Sequence, residues 1–175
     1  MPTIIRHFLS IILLPVLAMV VMPYWLITTF ATDHTYWSNN ALIALTSRSL
    51  GMLFFIIGFV LFIWCVSLFA KVGQGTLAPW DPTRNLVAIG PYRYVRNPMI
   101  SSVALLLISQ TLLWLSWAVG IWTIVFIIIN HIYFILSEEP GLEQRFGEPY
   151  LVYKKSVPRW LPRLKSWKKI GKNTT

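Results

Sequence analysis

The chain has 175 residues, of which 56% are hydrophobic and 12% charged, with a mean hydropathy of +0.63. Soluble domains carry about 25% charged residues, so this composition excludes an ordinary soluble globule and points to a one-domain membrane protein. The formal charge of +9, from 15 Lys and Arg against 6 Asp and Glu, flanks apolar runs, which favours anionic lipid over nucleic acid as the partner. The single cysteine, Cys65, excludes an internal disulfide and a two-cysteine metal motif.

In chain order, Phe8–Phe30 is the first long apolar run, too long for a signal-peptide core, and reads as a retained helix with kinks expected at Pro15 or Pro23. Ala31–Ser47 is a polar connector in which Asp33 and His34 are too few for a metal site, with Tyr36 and Trp37 as interfacial anchors. Arg48–Ala70 is the second span. Its Gly51 and Gly58 are seven residues apart, on one helical face, where small residues allow close packing. Lys71–Asn97 is loop-like, with Gly73, Gly75, Pro79, Pro82, Gly90 and Pro91. It holds neither GxGxxG nor GxxxxGK[ST], so a Rossmann or P-loop nucleotide site is not supported.

The loop closes on GPYRYVRNPMI, Gly90–Ile100. Arg93 and Arg96, three apart, would share a face on a helical turn. Asn97 reads as a helix N-cap and Pro98 as the first helical residue, placing unpaired N–H groups where an anion could bind. Pro98–Leu115 and Val119–Leu136 are the third and fourth spans, each about 18 residues and near the lower limit for crossing ~30 Å of hydrocarbon. The join at Ser116–Ala118 predicts a tight antiparallel hairpin. Gln110, Asn130 and His131 are the polar residues inside these spans. For Gln110 an interhelical hydrogen bond is expected, and His131 is a weak candidate base. Glu138, seven residues after His131, shares its face if the helix continues.

After Leu136, Ser137 can cap a new helical turn, with Glu138 and Glu139 favoured by the helix dipole. Leu142, Phe146, Tyr150, Tyr153 and Val157 recur at three- and four-residue steps. They predict an amphipathic helix in the membrane interface, broken at Gly147 and ended by Pro158, Trp160 and Pro162. Basic residues sit in the 71–98 loop (Lys71, Arg84, Arg93, Arg96) and in the tail, which carries nine, while the 31–47 and 116–118 connectors carry none. Both termini and the middle loop are therefore expected on the cytoplasmic side.

GPYRYVRNPMI followed by EEPGLEQRFGEPYLVYKKSVPRW, in this order and spacing, resembles the isoprenylcysteine carboxyl methyltransferase family, especially its short prokaryotic members, and the related phospholipid N-methyltransferases. The likeness covers roughly residues 73–163. It implies S-adenosylmethionine as cofactor, bound without a Rossmann fold by Arg84, Asn85, Leu86, Val87, Tyr92, Asn97, Pro98, Met99, Ile100, Glu138 and Glu139. Asn97 and Ile100 replace the family's usual histidine and tyrosine. Phe134 stands where the eukaryotic enzymes carry an arginine linked to prenylcysteine, so the acceptor is open between a prenylcysteine-like carboxylate and another lipid.

The expectation is thus an all-α integral membrane domain spanning residues 1–175, with N-terminal helices over 8–70, a cofactor-binding core over 73–163 and a basic tail over 164–175. Four transmembrane helices and a C-terminal interfacial helix would carry methyl transfer to a lipophilic acceptor, in a prokaryotic inner membrane. No metal or nucleic acid is expected. Two rivals are an NADPH-dependent reductase of the sterol-reductase type and a non-enzymatic membrane binding or assembly protein.

Overall fold

A computed structural model of the protein describes residues 16–30, 40–68, 71–72 and 85–167, in which helix is the regular secondary structure and no strand occurs. Five helices are present among them: α1 (Leu17–Thr29), α2 (Ala41–Leu68), α3 (Pro98–Trp114), α4 (Trp117–Phe146) and α5 (Glu148–Ser156), with a 3-10 turn at Gly90–Arg93 before α3. By length and composition, α2 and α4 can each cross a membrane. α3 has 17 residues, about 25 Å of rise, and α1 is shorter over its described part. Of the four expected spans, α2 and α4 are of full length among the described residues. The expected kink at Pro15 lies outside the described residues.

α2 starts earlier than its hydropathy suggests. Asn40 caps it, its Oδ1 accepting from the N–H groups of Leu42 (3.1 Å) and Ile43 (3.3 Å), so Ala41–Ser47 is helix and the polar connector is shorter than expected. α3 begins at Pro98 as expected, although the Asn97 side chain makes no capping bond. The Asn97 carbonyl instead accepts from the Ser101 N–H and Oγ, both at 3.0 Å. The hairpin turns at Leu115, which takes a left-handed conformation (φ 51°), and Ser116 caps α4 by accepting from the Val119 N–H at 3.4 Å.

The two glycines of α2 do bring α3 close. A Cβ on Gly51 would lie 2.9 Å from Leu113, and one on Gly58 would lie 3.1 Å from Leu105, Leu106 and the Ser102 carbonyl. The Ser47 hydroxyl adds a bond to the Leu112 carbonyl at 2.8 Å. The outer sides of α2 and α4 expose Leu53, Ile56, Phe59, Val60, Ile121, Ile124 and Ile128, the side-chain type that faces lipid. α1 has a π turn at Leu17–Val21, one residue before Met22 and Pro23. Proline has no N–H, so the donor that would serve Met19 O in an α turn or Ala18 O in a π turn is missing. Gln110 on α3 donates to Met19 O (2.8 Å) and Trp122 on α4 donates to Ala18 O (2.9 Å). The interhelical bond expected of Gln110 is therefore present.

α4 does not stop at Leu136. Ser137 caps nothing, because the helix continues through a π turn at Phe134–Glu138 to Phe146. It ends at Gly147 (φ +58°), as expected, and α5 restarts at Glu148-Pro149. The stripe of Tyr150, Tyr153 and Val157 is buried, with Leu142 and Phe146 packed against it. Leu86, Ala88 and Trp167 of the chain itself complete this packing. The apolar face expected to lie in lipid is thus filled by protein.

Candidate functional site

The ends of α2 and α4 and the start of α3 meet on one side of the helical body, and the GPYRYVRN segment sits there. Gly90 adopts φ +56°, and a Cβ would lie 2.9 Å from Leu68, so glycine fits the turn on both counts. The 3-10 turn ends at Arg93, and this parts the two arginines expected on one face. Arg93 is exposed, whereas the Arg96 side chain is only 11% exposed.

Tyr92 is buried with Cys65 and Val87, and Ile89 and Met99 pack on this group. Its hydroxyl meets the Cys65 thiol, and Glu138 and Tyr153 lie within electrostatic reach. Burial first, then these neighbours, hold the Tyr92 phenol well above its ordinary range. Tyr153 donates to the Tyr92 carbonyl at 2.7 Å, and burial likewise raises its phenol. At neutral pH both phenols are donors.

Glu139 is 5% exposed. Its Oε1 accepts from Arg159 Nε at 2.7 Å and forms an ion pair with Arg96 Nη1 at 3.0 Å, and its Oε2 pairs with Lys154 Nζ at 3.0 Å. Lys154 also pairs with Glu143, and the two carboxylates together hold its ammonium above the ordinary lysine range. Glu138, the neighbouring carboxylate, is half-buried.

Residues 157–167, the C-terminal arm, have no helix and lie along GPYRYVR through backbone bonds. Arg96 N–H donates to Pro158 O (2.9 Å), Arg163 N–H to Tyr94 O (3.0 Å) and Trp167 N–H to Arg93 O (3.0 Å). The Trp160 indole donates to His131 Nδ1 at 3.0 Å. An indole N–H can only donate, so Nδ1 is unprotonated, and in the neutral ring the proton sits on Nε2. Phe134 is buried, its ring centroid 6.0 Å from that of Trp160.

Of the residues anticipated for the cofactor, Val87, Tyr92 and Met99 share one cluster, Glu138 stands near Tyr92, and Glu139 adjoins Glu138. Leu86 turns instead to the Tyr150–Tyr153 cluster. Asn85 is exposed, its side chain donating to Val72 O at 3.3 Å. Pro98 is buried, and Asn97 and Ile100 are half-buried at the start of α3. Arg84 lies outside the described residues. Sequence reasoning missed Arg159, Lys154, Tyr153 and Trp160. The VPR triplet quoted for the resemblance ends on Arg159 and could have flagged it.

A cofactor with a sulfonium, an amino acid end and a ribose needs carboxylates, an anion partner and apolar walls. The donor set fits. Arg96 Nε is buried and meets no acceptor among the described residues, which suits an incoming carboxylate. Glu138 is available to a cation or hydroxyl, and Val87, Tyr92 and Met99 supply the walls.

A family model described as phospholipid methyltransferase matches residues 46–149, from inside α2 to the start of α5. No curated protein and no solved structure matches the chain.

Proposed function

Because the chain belongs to the phospholipid methyltransferase family, we propose that it transfers a methyl group from S-adenosylmethionine to a lipophilic acceptor at the cytoplasmic face of a prokaryotic inner membrane. In this reading all four apolar helices are inserted, both termini are cytoplasmic, and the acceptor enters sideways from lipid. The observation that carries the reading is the convergence, inside the matched stretch, of Tyr92 with Glu138 and Glu139 from the far end of the helical hairpin.

S-adenosylmethionine supplies an electrophilic methyl carbon. The chain's residues bind and orient. Arg96 offers Nε–H to an anion, Glu138 accepts from the amino end or the ribose, and the cluster of Val87, Tyr92 and Met99 excludes water. Asn97, Pro98 and Ile100, at the start of α3, border this site, and a cofactor role for Arg84, Asn85 and Leu86 rests on the family resemblance alone. Glu139 acts by holding Arg96, Arg159 and Lys154 in place. His131 has Nδ1 occupied by Trp160 and acts as a positioning residue for the arm. Phe134 puts an apolar ring where a carboxylate-binding arginine would sit, which favours an acceptor other than prenylcysteine.

Calorimetry in detergent, S-adenosylmethionine against NADPH, tests the reading. The first should bind and the second should not. Glu138→Gln should weaken binding by about ten- to hundredfold, the loss of a charge-assisted hydrogen bond worth about 1.5–3 kcal/mol. NADPH binding alone would replace the reading with a reductase, and binding of neither with a non-enzymatic role.

A further inference from the structure

The amphipathic stripe of α5 is closed off by Leu86, Ala88 and Trp167, so lipid contact at this end of the protein must use other side chains. The arm supplies them. Its backbone is tied to Arg93, Tyr94 and Arg96, and its side chains to His131 and Glu139. Held in this way, Leu161 is 80% exposed and Leu164 fully exposed. Two leucines on a tethered, non-helical segment are left with no apolar partner among the described residues.

Three cations accompany them. Arg93, Lys155 and Lys165 are exposed, and none pairs with a carboxylate among the described residues. The arm is anchored on His131, five residues before Leu136, which is the last residue of the apolar part of α4 and is itself 73% exposed. Leucine tips beside cations, level with the end of a spanning helix, match the boundary between acyl chains and anionic headgroups. A soluble protein partner would need no such continuity with the lipid-facing side of α4.

We propose that Leu161 and Leu164 dock the C-terminal arm into the anionic leaflet of the membrane that α2 and α4 cross, with Arg93, Lys155 and Lys165 on the headgroup phosphates. The docked arm keeps Arg159 on Glu139 and Trp160 on His131, so leaflet composition bears on the geometry of the site. The proposal rests on membrane insertion of α2 and α4, not on the identity of the cofactor.

Leu164→Cys carrying an environment-sensitive fluorophore tests it in the full chain, because Cys65 is buried and stays unlabelled. The labelled protein is placed in nanodiscs of phosphatidylcholine alone or mixed with phosphatidylglycerol, without cofactor. Blue-shifted emission and quenching by brominated acyl chains are expected in the anionic discs, decreasing with salt. A label at exposed Gln144 should stay aqueous. Each of Lys155→Gln and Lys165→Gln should reduce the docked-to-undocked ratio about fivefold. Aqueous emission at position 164 in both lipids overturns the proposal. Equal depth in both lipids overturns the anionic assignment. Shielding from water without acyl-chain quenching would mean a protein contact, and overturns it as well. None of these readouts requires methyl transfer, so they stand apart from the test of the cofactor.

Discussion

Glu139→Gln is the most informative single change, because it keeps the shape of the side chain and removes the carboxylate that three cations share. The carboxylate is 5% exposed and meets Arg96, Arg159 and Lys154 at 2.7–3.0 Å. Removing one partner from a buried ion network costs about 3–5 kcal/mol, since the remaining charges stay desolvated. Lys154 is one-third exposed and keeps Glu143, so its share is screened, and the expected loss is near the low end, about 3 kcal/mol. Equilibrium unfolding in mixed micelles measures it. Glu143→Gln, at a more exposed pair, should cost about 0–1 kcal/mol. Adding Arg159→Met to Glu139→Gln should recover part of the loss, because one stranded charge is gone. Glu139→Gln within about 0.5 kcal/mol of the parent would refute the network as the element that fixes this end of the fold. Glu138→Gln, by contrast, should leave stability nearly unchanged while weakening the cofactor.

Two glycines should respond in opposite directions to added side chains. Gly58→Leu forces apart α2 and α3, where a Cβ is already 3.1 Å from three neighbours, and should cost about 1–3 kcal/mol in the same unfolding assay. Gly141→Ala, in helix with nothing within 4 Å of the new Cβ, should stabilise by about 0.5–1 kcal/mol. Burial pushes the Tyr150 phenol up to about 12. The folded state thus holds this proton to higher pH than the unfolded state does. Its contribution is complete below about pH 10 and is lost as pH rises towards 12, by at most about 1.4 kcal/mol per unit. Tyr150→Phe should flatten that part of the stability profile. With Phe134 at the prenylcysteine arginine position, a farnesylcysteine analogue should be methylated poorly, and turnover equal to a eukaryotic family member in the same detergent would contradict this.

Features set by neighbours in sequence were legible. The start of α3 at Pro98, the break at Gly147, the close-packing face of Gly51 and Gly58 and the stripe from Leu142 to Val157 all follow from local periodicity or turn chemistry. What was not legible depends on distant partners. Periodicity shows that Tyr150 and Tyr153 share a face, but not whether lipid or Trp167 covers it. A π turn leaves no compositional mark, so Ser137 read as a cap and α4 read as ending early. Arg93 and Arg96 look equivalent until the 3-10 turn stops between them. The three cations around Glu139 come from 96, 154 and 159, and the arm that delivers Arg159 is irregular, held by backbone bonds that residue type does not encode.

The side-chain bonds to Met19 O and Ala18 O, beside the donor missing at Pro23, bear on how the chain is assembled during synthesis. α1 leaves the ribosome before α3 and α4, and the side chains that satisfy Met19 O and Ala18 O lie 91 and 104 residues further along. An unpaired carbonyl in hydrocarbon costs several kcal/mol, so in the proposed four-span arrangement α1 on its own is a poor resident of the bilayer core. It must wait at the insertion machinery, stay near the surface, or hold water until the α3–α4 hairpin arrives with Gln110 and Trp122. α1 is therefore made before the hairpin that completes it.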